Sequence, residues 1–421
     1  MKFNKKSEIK QLYIWITLGI IVLAVYIPVL SNAFLLFWND NWMVMNSYTF
    51  DGFTPDNLRK ILTDPYNGQY SPVNQIYYLL LYSVSGLDSF TFHLGSLLLH
   101  FANVMLVYHL LFKILMLSSN FNGKESNCLA FFTALLFAIY PLNAESVSWI
   151  SASKVLLFTL FYLLSLLAYI QYVSRKKLKY YFFSICFFIL SFGSKEQAIT
   201  VIFSVILLDY VLRRNLKDKR VWIEKVPFAL LSILFLAITL CMQGDVFSDT
   251  GGSYSFFERF VLIFYSFMEY ITKCIFPIDI PFLYPYQTGG TVPAYFWAYP
   301  VIVIIFLILF FTEFKIKKHR HLYFVLLFFV INLGINSLPR FNVLADCHIY
   351  ITIPAVFLFT GIFFLNIIKK YRKYRILLFA GLMTYIIILG IYSHQQTKTW
   401  RDSDSLKNTL QIYQINKYYD R

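Results

Sequence analysis

The chain has 421 residues, 58% of them hydrophobic, 20% aromatic and only 14% charged, with a mean hydropathy of +0.60. A soluble domain carries about 25% charged residues, so a string of soluble domains is excluded, as are collagen-like, disordered and disulfide-scaffold chains. The net charge of +15 would suit nucleic acid, but in so apolar a chain the Lys and Arg excess belongs to cytoplasmic loops.

Met1 to Lys10 carries four lysines and one glutamate, and Leu12 to Leu30 then runs apolar. Ser31-Asn32-Ala33 resembles a signal-peptidase site, but the apolar stretch exceeds the roughly 7–15 residues of a signal h-region, so a retained anchor entering from the inside is expected. Five later basic clusters mark cytoplasmic loops: Lys113 with Lys124, Arg175 to Lys179, Arg213 to Lys225, Lys315 to Arg320, and Lys369 to Arg375. Helices fitted between them span roughly 11–32, 92–115, 128–141, 154–173, 179–193, 197–212, 225–242, 297–314, 322–337, 348–367 and 376–393. The apolar runs are near the length of about 20 residues that crosses a bilayer, and they lack the alternation of an outer-membrane barrel. The expected fold class is therefore an all-α polytopic membrane protein of about eleven transmembrane helices, with the N-terminus cytoplasmic and the C-terminus outside. Residues 71–86 and 257–276 do not fit as crossings and read as helices lying in the outer interface; the alternative is a short true span. The expected organisation is a transmembrane domain over 1–393 and a short outer tail over 394–421. Outer loops fall at 33–91 and 243–296, each with an in-plane helix.

Most of the chemistry-bearing residues fall on that outer side. Asp40, in Phe37-Trp38-Asn39-Asp40-Asn41, stands where the first span leaves the bilayer. A partly buried carboxylate there has the raised pKa of a general base, and the plainer reading is a capping Asp beside an interfacial Trp. Residues 140–154 pack Glu145, four serines and Lys154 into a tight turn that could hold a phosphate or sugar hydroxyls, or simply cap a helix through Ser151 or Ser153. Lys195 and Glu196 are adjacent opposite charges at membrane depth, which pair or mark a substrate path. Arg340, His348 and Tyr350 offer ligands for an anionic group. The five cysteines form no CxxC pair and read as packing residues.

Taken in order, these segments resemble the C-type (GT-C) membrane glycosyltransferases. Within them the closer likeness is to the membrane part of the transmembrane-and-tetratricopeptide-repeat protein O-mannosyltransferases. A Trp/Phe-x-Asp-Asp motif is similar to Trp38-Asn39-Asp40, and a Tyr-x-Pro motif to Tyr70-Ser71-Pro72. A Phe-His-Leu...Leu-Leu-His-x-x-Asn motif matches Phe92-His93-Leu94 with Leu98-Leu99-His100 and Asn103. A His-Pro-x-x-x-Glu-x-Val-x-Trp-Ile motif is similar to Tyr140 through Ile150, with Glu145 and Trp149 in place. Ser194-Lys195-Glu196 stands unchanged, Ala345 through Tyr350 resembles an Ala-Asp/Glu-Arg-Tyr-x-Tyr motif, and Thr399-Trp400-Arg401-Asp402 with Leu406 closes the series. Four departures stand out. Asn39 replaces one acid, Tyr140 replaces a His, Cys347-His348 replaces Arg-Tyr, and the chain stops at Arg421 where the repeat array would begin.

The resemblance implies a GT-C-like bundle in the bacterial inner membrane with an extracytoplasmic active site. It implies an inverting transferase that moves a mannose-like hexose from a polyprenyl-phosphate donor to a hydroxyl of a protein, glycan or lipid acceptor. Asp40 would be the base and Glu145 would orient substrate or base. Lys195, Arg340 and His348 would hold the donor phosphate, and His93, His100, Trp149, Lys154, Glu196 and Tyr350 would contact substrate. No metal or other cofactor is required, although distant relatives use a divalent ion, and no nucleic-acid partner is expected. A flippase for lipid-linked sugars is the rival from another class, and it would show internal repeats and broken charged helices at midplane. A polysaccharide polymerase or ligase is a third reading.

Overall fold

In a computed structural model, residues 5–118, 121–248, 254–278, 280–281, 284, 292–313, 319–334 and 344–419 are described. Among them the chain is helical throughout, apart from two isolated bridges, Tyr66 with Gln69 and Tyr284 with Leu344. Eleven helices carry the bundle: α1 (Lys5–Tyr26), α2 (Ser89–Ser118), α3 (Gly123–Ala138), α4 (Ser153–Arg175), α5 (Leu178–Phe192) and α6 (Val201–Val211), followed by α7 (Val226–Ser248), α8 (Ala298–Glu313), α9 (Arg320–Gly334), α10 (Ile353–Lys370) and α11 (Arg375–Gln396). Each falls on one of the expected spans. Seven segments, containing α1, α2, α4, α7, α8, α10 and α11, are long and apolar enough to cross a membrane. α5 and α9 are shorter apolar helices, and α3 and α6 run 16 and 11 residues. This is an all-α polytopic membrane protein.

α4 is central and α8 and α11 are peripheral: 72% of the apolar stretch of α4 is buried, against 11% for each of the other two. Lipid is as apolar as a protein core, so exposed Ile376, Leu377 and Ile304 on those outer helices carry no solvation penalty.

Local chemistry sets the boundaries. α1 gives way to a 3₁₀ turn, Ile27–Ser31, where Pro28 has no N–H to continue the helix. α3 begins five residues before its expected start because Asn122 and Glu125 form a capping box. The Asn122 side chain accepts from Glu125 N–H at 2.9 Å, and Glu125 accepts from Asn122 N–H at 3.1 Å. α10 starts at Ile353 rather than 348, since Asp346–His348 forms a separate 3₁₀ turn and Pro354 occupies the first turn of the helix. The tail beyond α11 folds into a 3₁₀ turn, Thr397–Trp400, and a helix, Ser403–Tyr419. The expected serine caps on α4 do not form: Ala152 precedes the helix and no side chain caps it.

Both segments expected in the interface are helices, Pro72–Ser85 and Phe256–Ile275. The second buries Val261, Leu262, Tyr270 and Cys274 and exposes Phe257 and Phe260. It carries Glu258, Arg259, Glu269 and Lys273, so it is two-faced and not an evenly apolar crossing.

The acids on the basic side have a structural use. Asp209 lies 2.5 Å from the Lys225 ammonium and 3.2 Å from Arg214, and Arg214 grips both oxygens of Glu224 at 2.5 and 2.9 Å. Buried cations there are neutralised within the fold. The orientation itself is testable. Single cysteines at Asn67 and Asp404, in a background without the natural five, are expected to react with an impermeant maleimide in intact cells. A cysteine at Lys217 should react only after lysis. Labelling of position 217 from outside would invert the topology.

Candidate functional site

At the bundle end opposite the basic clusters, three remote segments are tied together. The α3–α4 connection folds into a short helix, Asn143–Ser148, and a 3₁₀ turn, Ile150–Ala152, all buried. The first outer loop docks on it through Asp40. That carboxylate is fully buried; one oxygen accepts from Leu35 N–H at 2.8 Å and the other from Ser151 N–H at 3.1 Å and from the Ser151 hydroxyl. Asp40 therefore does not cap the Asp40–Met43 helix it begins. Burial pushes its pKa up to about 6, and the hydrogen bonds from Ser151 and Leu35 oppose the shift. The C-terminal segment docks on the same loop. Ala33 N–H donates to Arg401 O at 2.8 Å, and the Asn32 amide donates to Trp400 O at 3.1 Å.

A small cleft opens beside this junction, lined by Glu145, Asp346, Pro281, Gln396, Thr399 and Trp400 among others. Glu145 accepts from Cys347 N–H at 2.9 Å, and Asp346 accepts from the Tyr284 hydroxyl at 2.8 Å. Burial raises the pKa of both acids. The Glu145 charge pushes Asp346 further up, while Lys195 opposes the rise at Glu145 and Lys273 opposes it at Asp346. The charge on Glu145 thus disfavours a second charge on Asp346. Lys195 is only 5% exposed, and its charge also reaches Cys347, as does that of half-buried Lys154. Lys273 sits 3.6 Å from Glu269 and 5.2 Å from the Tyr284 ring centre. Tyr140, standing where the resemblance expects a His, donates its hydroxyl to the Lys273 carbonyl and so binds the 256–275 helix to the loop. Tyr270 fixes the next segment, accepting from Ala345 N–H at 2.9 Å and donating to Ala345 O at 3.1 Å.

Trp149 stacks on Trp400 with ring centres 5.9 Å apart and planes at 17°, and Trp38 adds a third ring at 6.5 Å. Trp400 faces the cleft. An aromatic plane beside paired acids and two buried lysines can stack a sugar face, accept its hydroxyl protons and hold an anionic group.

The structure thus places Glu145 in the cleft wall, with Lys195 acting on it through its charge and Trp149 stacked behind Trp400; Lys154 and the half-buried Glu196 and His348 lie on the same segments. Arg340 lies outside the described residues. Three expected contacts are buried within the fold. His100 Nδ1 is 2.6 Å from the Tyr350 hydroxyl and its Nε2 is 3.3 Å from Ala138 O, and both residues are fully buried. Asn103 reaches the same hydroxyl at 3.4 Å and Leu156 O at 3.0 Å. His100 and Tyr350 hydrogen-bond each other inside the bundle and tie α2, α3 and the chain entering α10 together. His93 is 1% exposed beside the backbone of Asn32 and Ala33, with neither ring nitrogen in a hydrogen bond of good geometry. Asp346, Lys273, Tyr284 and Trp400 were not singled out from the sequence as site residues. Asp346 and Trp400 lie in the quoted motifs, whereas Lys273 looked like any charge on an amphipathic helix. Among the described residues no three His, Cys, Asp or Glu side chains gather as a metal site.

No family model matches the chain. It is similar to a protein O-mannosyl-transferase of Caenorhabditis elegans, 24% identical over 293 residues, covering 67% of this chain and 40% of that protein. A second protein O-mannosyl-transferase, from Xenopus laevis, is 31% identical over 160 residues, covering 36% of this chain and 18% of its own length. The chain therefore spans well under half the length of these curated relatives. Among solved structures, the crystal structure of the Archaeoglobus fulgidus oligosaccharyltransferase superposes with a TM-score of 0.46 at 12% identity, over 92% of this chain and 55% of that one. The resemblance that the motifs carry and the relatives that the comparisons find agree.

Proposed function

We propose that the chain is a glycosyltransferase that moves a sugar, a mannose-like hexose, from a polyprenyl-phosphate donor to a hydroxyl on the outer face of the membrane, with inversion. The observation that carries this reading is the cleft itself, where Glu145 and Asp346 meet the fields of Lys195 and Lys273 beside Trp400. The similarity to protein O-mannosyl-transferases supports a protein hydroxyl as acceptor.

In this reading the acceptor oxygen loses its proton to Asp40 and attacks the anomeric carbon. The bond from that carbon to the phosphate oxygen breaks, and the electron pair leaves with the lipid phosphate. Lys195 and Lys273 stabilise the charge that builds there. Glu145 and Asp346 hydrogen-bond the sugar hydroxyls and so fix the ring against Trp400. Asp40 has the ionisation of a base poised near working pH, and it already accepts a hydroxyl proton from Ser151. The acceptor would take the place of that serine hydroxyl.

The direct test gives the purified full chain a polyprenyl-phosphate mannose and a Ser/Thr peptide, with the product read by mass spectrometry. A glycopeptide is expected. Donor that binds and is hydrolysed or flipped, with no peptide product, would favour a hydrolase or transporter instead. Lys195→Ala should weaken donor binding by about tenfold or more, the loss of one charge-assisted contact in a dry site. Unchanged donor affinity in that variant would place the phosphate elsewhere.

A further inference from the structure

Not every cation at the basic end of the bundle is neutralised by an acid of the fold. Asp209, Arg214, Glu224 and Lys225 answer one another, but Lys113 and Tyr180, the hydrogen-bond partner of exposed Arg175, line a groove together. Among the described residues neither Lys113 nor Arg175 forms an ion pair. Lys113 is half-buried on α2, and Arg175, at the end of α4, donates to the Tyr180 hydroxyl at 2.9 Å. His109, one turn deeper on α2, packs its Nε2 2.5 Å from the Gln11 amide nitrogen of α1.

Beneath these cations runs an apolar groove of about 420 Å³ between α1, α2, α4 and α5, lined by Trp15, Leu106, Leu164, Leu167, Phe183 and Phe187 with Lys113 at its mouth. At Trp15 it meets a second apolar groove of about 410 Å³ between α1 and α2. The first groove follows α2 from Lys113 to Met105. At 1.5 Å per residue that is about 12 Å, close to the depth of one leaflet.

We propose that this groove binds an anionic phospholipid, one acyl chain along α2 and the headgroup phosphate between Lys113 and Arg175. Three features converge on that occupant. An apolar channel in the lipid-facing wall holds hydrocarbon in preference to water. A half-buried lysine with an arginine at the same groove mouth, neither in an ion pair among the described residues, is relieved by an external anion. Their position at the inner mouth of a leaflet-deep groove matches a headgroup attached to a chain, and the surrounding basic loops concentrate anionic lipid at that surface. The site lies at the end of the bundle opposite the sugar cleft and does not depend on the transferase reading.

The test is native mass spectrometry of the full chain in detergent, with palmitoyl-oleoyl phosphatidylglycerol or the phosphatidylcholine of the same chains added. The wild type should retain phosphatidylglycerol at least about tenfold better. Lys113→Gln with Arg175→Gln should abolish that preference. Leu164→Trp, which fills the groove and touches neither cation, should lower retention of phosphatidylglycerol, and an unshifted melting temperature would show that each variant is folded. If the double variant does not fold, Leu164→Trp decides the matter alone. Equal retention of the two lipids by the wild type, an unaltered preference in the folded double variant, or displacement of phosphatidylglycerol by millimolar inorganic phosphate would overturn the proposal.

Discussion

Glu145→Gln is expected to lower sugar transfer by about a hundredfold or more while the protein stays folded. The amide keeps the shape and can still accept from Cys347 N–H, a bond of 2.9 Å in the native loop. What it loses is the charge that Lys195 faces and that pushes Asp346 up. The same change has a stability signature. Both acids hold protons more tightly folded than unfolded, so their contribution is full below the ordinary carboxylate range and is lost as pH rises through the raised values. In the wild type the melting temperature should therefore decline with rising pH across that window. The slope should flatten in Glu145→Gln, where Asp346 no longer faces a neighbouring negative charge. Initial rates and melting curves from pH 4 to 8 check both points. A variant with wild-type rate and a flattened slope would leave the acid pair a structural feature only.

How much of this was legible beforehand differs by kind. The eleven helices were, because long apolar runs between basic clusters leave little choice in a bilayer. Their ends were not: the start of α3 depended on the Asn122–Glu125 box and that of α10 on Pro354, both local signals that an apolar-run reading overrides. Within the site, Glu145 stood out as the acid of a tight, serine-rich outer turn and Lys195 as one of two adjacent opposite charges at membrane depth. Lys273 did not, since only its burial in the folded chain shows that the amphipathic helix turns that lysine inward. His100 and Tyr350 are the converse case. Polar residues in a span suggest function, yet here each is the other's partner at 2.6 Å. A sequence shows that a buried polar group needs a partner, and not whether substrate or protein supplies it.

Asp40 is the sharpest case of that ambiguity, and it yields the other large prediction. Its oxygens already accept from Leu35 N–H, Ser151 N–H and the Ser151 hydroxyl, so the residue is both a candidate base and a tie between two loops. The two roles separate in a pair of variants. Asp40→Asn turns an amide donor toward donors and removes the base; transfer should fall by about 10²–10⁴-fold, with a stability loss of about 1–3 kcal/mol from the mismatched donors. Ser151→Ala removes the hydroxyl that competes with the acceptor, so it should keep transfer near the wild-type rate and lose only a little stability. Wild-type transfer should also decline as pH drops through about 6, where the carboxylate takes up its proton. If Asp40 is only a tie, both variants lose stability and both keep transferring sugar in proportion to the folded fraction. If it is the base, Asp40→Asn binds donor and stalls, and only that variant does so.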